Sequence, residues 1–361
     1  MSYDAAVIGG GVIGLSCAYR LARNGKKVVV LERGTIREGA SWASGGMIRP
    51  VTEFEGNRAF FDLCCESARM YPGFVKEVER DSGIAVEYDA TGSILVASNK
   101  DEEFQLLEKY QFAKSNGIAA RILSEGEARR KEPELNMPLR IALYMPSDNQ
   151  VNNRLLLKAL KAAAERNGAA IIEHCHVTSI LSSGGRHELV AKQGSFACEH
   201  LIHCEGAWAA EHAGAAVKPI RGQMIRFSIK GIAIKHIISH HPIYLIPRKD
   251  ATLVAGSTVE DVGFDARVTE TAMQHLYEQA IALIPALAEC TVVERWAGLR
   301  PLSATGIPYI GTIREHEHLA AGHYRNGILL APITAKIIAE AVITGKQHPS
   351  FSPMHLEQVM A

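Results

Sequence analysis

An apolar strand running into a glycine-rich turn and a helix, an acidic residue closing the next strand, and a later change to period-two patterning together predict an α/β fold. It has two parts, a Rossmann-like nucleotide-binding domain and an antiparallel-sheet α+β domain. Residues 3–8 read as a buried strand. Residues 12–24 follow with apolar side chains at Val12, Ile13, Cys17, Leu21 and Ala22, a helical spacing that stops at Gly25, and residues 28–31 form the second strand.

Between the first strand and the helix, Gly9, Gly11 and Gly14 satisfy Gly-x-Gly-x-x-Gly. The first glycine permits a tight turn, the second lets backbone approach a pyrophosphate, and the third lets helix and sheet pack closely. Val12 and Ile13 open the helix, whose amides and positive dipole end would face the diphosphate. Glu32 stands 18 residues after Gly14, where a carboxylate can accept hydrogen bonds from both hydroxyls of a ribose. Arg33, next to it, reads as a solvated neighbour or a contact to the same nucleotide.

Lys plus Arg and Asp plus Glu each total 39, so no net field is available to hold polyphosphate or an anionic membrane surface, and nucleic-acid binding is not expected. The seven cysteines are an odd set without a C-x-x-C pair, which suits reduced thiols in a cytoplasmic protein. Two apolar stretches, 5–18 and 328–343, are interrupted by glycines or by Pro332, Lys336 and Glu340, and no membrane span is expected.

Further along, 39–47 is a run of small residues (Ala40, Ser41, Gly45, Gly46 before Met47) through which backbone could pass a flat ligand or form a flexible loop. Residues 58–75 look helical, Ser124 and Glu127 offer a capping box, 153–167 is an amphipathic helix stopped by Gly168, and 169–173 and 201–204 are strands. Period two governs 224–229, 243–247 and 252–257, with a turn at 248–250; 269–283 returns to helix, and a second glycine-bearing loop and helix close the chain at 322–343. His174 and His176 would share a strand face without a third ligand, so no metal site is expected, and the absence of G-x-S-x-G removes a hydrolase nucleophile.

With these motifs in view, the chain resembles the FAD-dependent amino-acid oxidase superfamily, and within it the glycine oxidases associated with thiamine biosynthesis. The resemblance runs over nearly the whole length. It is carried by the 9–14 turn with Glu32, by Ser44-Gly45-Gly46-Met47, by Trp296-Ala297-Gly298-Leu299-Arg300-Pro301 with Pro308-Tyr309-Ile310-Gly311, and by His323-Tyr324-Arg325-Asn326-Gly327-Ile328-Leu329-Leu330-Ala331-Pro332. It implies a Rossmann-like FAD-binding domain (1–80, 145–218 and 298–361) with an antiparallel-sheet α+β substrate domain (81–144 and 219–297). FAD is implied to be bound non-covalently, since 301–306 holds no cysteine. The implied FAD contacts include Val177 and the loop His323, Tyr324, Arg325, Asn326, Gly327, Ile328 and Leu329, beside the residues already named.

The implied reaction is oxidation of glycine and other small amines, sarcosine and small D-amino acids among them, by hydride transfer to FAD. Dioxygen takes the electrons to give hydrogen peroxide, and the imine feeds thiazole synthesis. The partners would be the amino-acid substrate, O2 and further copies of the chain in a homo-oligomer, up to a tetramer. Two departures stand out: Thr305 replaces the usual Asp before Gly306, and Arg49 replaces a small residue two positions after Met47.

Clamping the carbon that loses hydride requires a cation for the substrate carboxylate, and Arg300 is the candidate, since a planar guanidinium offers two parallel hydrogen bonds. The alternative is an internal salt bridge. Tyr244 in the period-two strand could share the carboxylate or be a core residue, and Arg325 could touch substrate or hold its own loop. A helix opening near Pro332 would turn its positive end toward the flavin. Arg49 would sit at the mouth of the site or on the surface. Two other functions remain: a D-amino-acid or proline dehydrogenase with a quinone acceptor, and a non-catalytic FAD-binding module.

Overall fold

The computed structural model describes residues 2–52 and 56–348; the remainder of the expected C-terminal segment, 349–361, lies outside the described residues. An eight-stranded sheet carries the N-terminal turn. Its central strands Ser2–Ile8, Val28–Leu31, Ala170–Ile172, Gly194–His203 and Glu317–Ala321 run parallel, with Tyr309–Arg314 antiparallel at one edge. The hairpin Val177–Ser183 and Arg186–Ala191 continues from Gly194–His203. In the first strand Ala5 and Val7 face a core made by helices Val12–Arg23, Arg58–Ser82, Asn153–Arg166 and Gly327–Thr344, while Tyr3, Ala6 and Ile8 face the hairpin side. Burial on both faces is what a parallel strand requires.

A second eight-stranded sheet runs Val292–Ser303, Val217–Ser228, Thr252–Gly256, Ile243–Pro247, Ile237–His240, Ser93–Ala97, Ile141–Met145, Arg121–Leu123. It is antiparallel as expected, apart from the parallel pair Ile237–His240 with Ser93–Ala97. Its first two strands pair from Val217↔Ser303 to Phe227↔Val292 and cross positions 218 and 298, so continuous strands, not linkers, join the two parts.

Helix ends follow the capping residues: Asn57, Asn152 and Thr269 each accept from a backbone N–H of the first turn, and Ser124 with Glu127 forms the capping box. Three local expectations are corrected. Arg58–Ser82 runs past Val75 in spite of Pro72 and stops at Gly83, φ 70°. The strand Ala170–Ile172 ends before His174, which takes a left-handed turn with φ 57°, so His174 and His176 do not share a strand face. The last helix begins at Gly327, not near Pro332. Pro332 lies inside it, and the Ile328 carbonyl, which a proline cannot bond, accepts the Tyr71 hydroxyl at 2.7 Å.

Among the described residues, Gly327–Thr344 is the one helix long and apolar enough to cross a bilayer by composition, and 72% of it is buried inside the protein. No disulfide joins the seven cysteines.

Candidate active site

Two adjoining cavities lie where the sheets meet. They share Ala40, Ser44, Tyr324, Arg325 and Ile328 as walls. The first is built around the glycine turn. Gly9 has φ 106°, and a Cβ there would overlap the Cys204 carbonyl, so only glycine fits both the conformation and the neighbouring strand end. Gly14 is packed against the Gly9 carbonyl and lines neither cavity, which is the close-packing task expected of it. Gly11 precedes helix Val12–Arg23 without a side-chain cap, and Val12 N donates to Ser41 Oγ at 3.0 Å.

Glu32 reaches the same wall. Its Oε2 accepts from Gly10 N at 2.6 Å and its Oε1 from Gly34 N at 2.9 Å, so the turn itself orients the carboxylate. Arg33, exposed at the rim, lies over the Trp208 ring at 3.5 Å from its centroid. Ile13, Ala40, Val177, His323 and Gly327 complete the expected lining. His323 is buried, bonded to Thr334 Oγ1 at 3.1 Å, and burial pushes its imidazole down to about 3, so it is neutral. Leu329 is in the core behind the wall, with its carbonyl accepting from Ser67.

The second cavity is lined by Gly45, Gly46, Met47, Arg49, Gly222, Met224, Tyr244, Ser257, Arg300 and Asn326, among others. Arg300 Nη2 donates to Ser257 Oγ at 2.6 Å and Nη1 to the Thr258 carbonyl at 3.1 Å. The guanidinium lies over Gly222, where a Cβ would overlap it. No ion pair among the described residues gives Arg300 a carboxylate, so the internal salt bridge is not what holds it. Tyr244 donates to Met224 Sδ at 3.6 Å, a weak acceptor. Tyr324, between the cavities, holds a positive φ of 47° and donates its N–H to the Pro301 carbonyl at 2.8 Å.

A family model for FAD dependent oxidoreductases matches residues 4–341. The chain belongs to that family. FAD is its cofactor, and the overlap-sensitive turn at Gly9, the oriented Glu32 and the helix N-terminus fit a dinucleotide. The glycine oxidase of Geobacillus kaustophilus is 33% identical over 350 residues, covering 94% of this chain and 93% of the relative. Its crystal structure superposes with a TM-score of 0.93, at 32% identity over 98% and 97% of the two chains. A bifunctional protein ThiO/ThiG of Trichormus variabilis is 34% identical; the alignment covers 98% of this chain and 55% of that longer protein.

Several residues that build or line these cavities escape the sequence reading. Arg248, in sequence only part of a turn, donates to the Gly45 carbonyl at 2.8 Å, the Val151 carbonyl at 3.0 Å and Gln150 Oε1 at 3.1 Å. It ties the Gly45–Gly46 loop to the segment at Gln150 and Val151, and burial lowers its guanidinium to about 10. Cys204 to Trp208 and Gly222 line cavities because of strand register, which no local pattern signals. Of the two departures, Thr305 is exposed, bonds within its own turn and lines neither cavity. Arg49 is only 4% exposed, so the surface alternative is excluded.

Proposed function

We propose that the chain is a glycine oxidase that holds FAD non-covalently in the first cavity and the amino acid in the second, with the substrate carboxylate on Arg300. The observation that carries this reading is the Arg300 guanidinium, braced by Ser257 and Thr258 at a cavity wall without a carboxylate partner among the described residues. Bound FAD supplies a two-electron acceptor. Arg300 binds the carboxylate through its remaining donors, Tyr244 exchanges its weak sulfur acceptor for the same carboxylate, and Arg325 acts from the exposed rim.

No His, Asp or Glu lines the second cavity among the described residues. The amine must therefore give up its proton to solvent before it reacts, because no side-chain base stands beside it. The imine product passes to thiazole synthesis for thiamine, sarcosine and small D-amino acids are alternative substrates, and dioxygen is reduced to hydrogen peroxide. Non-covalent binding is supported by the cysteines: only Cys175 and Cys204 line the first cavity, none lines the second, and burial raises the Cys175 thiol, as the Cys17 hydrogen bond and burial raise that of Cys204. The same reading takes the first sheet as the FAD-binding domain and the second as the substrate domain, in a cytoplasmic homo-oligomer.

Glycine added without oxygen should bleach the flavin absorbance, and in air should drive oxygen uptake. Bleaching without oxygen uptake would make the protein a dehydrogenase. No bleaching by glycine, sarcosine, D-alanine or D-proline would leave only a binding module.

A further inference from the structure

The strand Gly194–His203 changes partner along one edge. From Gly194 to Cys198 it pairs with Arg186–Ala191, and from Leu201 it pairs with Glu317–Ala321. Glu199 and His200 fall in the gap between. Two turns converge on it, one through Gly184 and Gly185 and the other through His316, whose φ is 57° and whose carbonyl accepts from Leu201 N at 2.9 Å.

The imidazoles at the gap are oriented from behind. His316 Nδ1 is 2.9 Å from the Gly185 carbonyl, and a carbonyl only accepts, so Nδ1 carries the proton and Nε2 keeps its lone pair. His200 Nδ1 is 3.1 Å from His318 Nε2, and His318 Nδ1 is 3.0 Å from Thr312 Oγ1. That relay leaves His200 Nε2 facing Glu199 Oε1 at 4.0 Å. The His200 and His316 rings stand 4.6 Å apart between centroids, and one donor atom from each of Glu199, His200 and His316 lies within 4.8 Å of the others.

We propose that Glu199, His200 and His316 bind a divalent transition-metal cation of the zinc class. Two imidazoles and one carboxylate favour zinc over magnesium or calcium, which take oxygen ligands. Tetrahedral donors at about 2.0–2.1 Å from zinc stand roughly 3.4 Å apart. Closing to that spacing from at most 4.8 Å takes shifts of up to about 1.4 Å shared among the three side chains, of which Glu199, 54% exposed, is the freest. Ring nitrogens held by a carbonyl or a second hydrogen-bond partner are the usual outer support of such ligands.

None of the three residues lines either cavity. The ion, with water in its fourth position, therefore takes no part in the oxidation: it pins two turns to the strand where pairing passes from one neighbour to the next.

The test uses tag-free, FAD-loaded protein freed of metal with a chelator and dialysed against micromolar Zn2+, with bound zinc counted by atomic emission. One equivalent per chain is expected, together with a rise in melting temperature on adding Zn2+. Both should vanish in His200→Gln/His316→Asn, asparagine being tolerated where φ is positive. The exposed Glu199→Gln leaves the fold alone and should weaken zinc binding. His318→Gln, which removes only the outer support, should weaken it by about 10–100-fold. Absence of stoichiometric zinc in the wild type overturns the proposal, as does zinc retained by the double variant, or zinc lost instead on changing His174 and His176.

Discussion

Replacing Arg300 by lysine isolates the carboxylate clamp. Each terminal guanidinium nitrogen carries two N–H groups; one of Nη1 is used by the Thr258 carbonyl and one of Nη2 by Ser257 Oγ. One from each terminal nitrogen and the Nε–H are left to meet the two oxygens of a carboxylate. An ammonium has three donors on a single atom, so after the same two internal bonds it keeps one. The loss is one charge-assisted hydrogen bond, about 1.5–3 kcal/mol, or one to two orders of magnitude in glycine affinity. Anaerobic titration of the flavin absorbance with glycine measures it, and glycinamide, which has no carboxylate, serves as the control that both proteins should bind equally. Unchanged glycine binding in Arg300→Lys, or equal losses for glycine and glycinamide, would remove Arg300 from the clamp.

Four further outcomes follow from the same geometry. Glu32→Ala should raise the dissociation constant of FAD by roughly 10–100-fold while turnover recovers with excess FAD, and inactivity at flavin saturation would contradict that. Arg248→Lys gives up contacts that hold the Gly45 carbonyl, so a higher KM for glycine and a lower urea midpoint are expected in the flavin-loaded protein; wild-type values for both would show the loop is held otherwise. Burial alone would push His203 down, but its hydrogen bonds to Glu205 and Glu317 outweigh this and raise it to about 9, with His212 on Glu205 and Arg314 on Glu317 completing the cluster. That stability is fully present below about 6.5 and lost as pH rises through about 9, so the melting temperature should fall across that window and the slope should flatten in His203→Gln. Acid precipitation should leave FAD in the supernatant, whereas a yellow washed pellet would mean a covalent bond.

The elements that the sequence states most plainly are local. The glycine turn, Glu32, the capping box at Ser124 and the period-two strands at 243–247 and 252–256 are each written within a few neighbouring residues. What escaped depends on distant pairing. The parallel pairing of Ile237–His240 with Ser93–Ala97 joins segments with no common signal, and Pro332 reads as the beginning of a helix that starts at Gly327. Inside the helix, the Ile328 carbonyl that the proline leaves unbonded is taken by the Tyr71 hydroxyl, 257 residues from Ile328 in the chain.

The same distinction holds for the site. Arg300 and Tyr244 were legible as residue types in strands, but Gly222, which makes room for the guanidinium, is visible only through its register with Gly298. Charge was hidden in a different way. The whole chain balances 39 basic against 39 acidic residues, which argues against a long-range field. The second cavity does not share that balance: Arg49, Arg300 and Arg325 line it and no Asp or Glu does. Arg49 bonds to Ser239 Oγ at 2.8 Å and stands 3.9 Å from the buried Asp148, which Ser93 and Thr52 also hold, so its charge is partly offset from behind. A low-dielectric pocket with a cationic wall and no side-chain base favours a small carboxylate whose amine has already lost its proton. Neutrality of the chain is therefore compatible with the proposed binding of an anion in the cavity, because the first is a sum over the surface and the second depends on which few charges face inward.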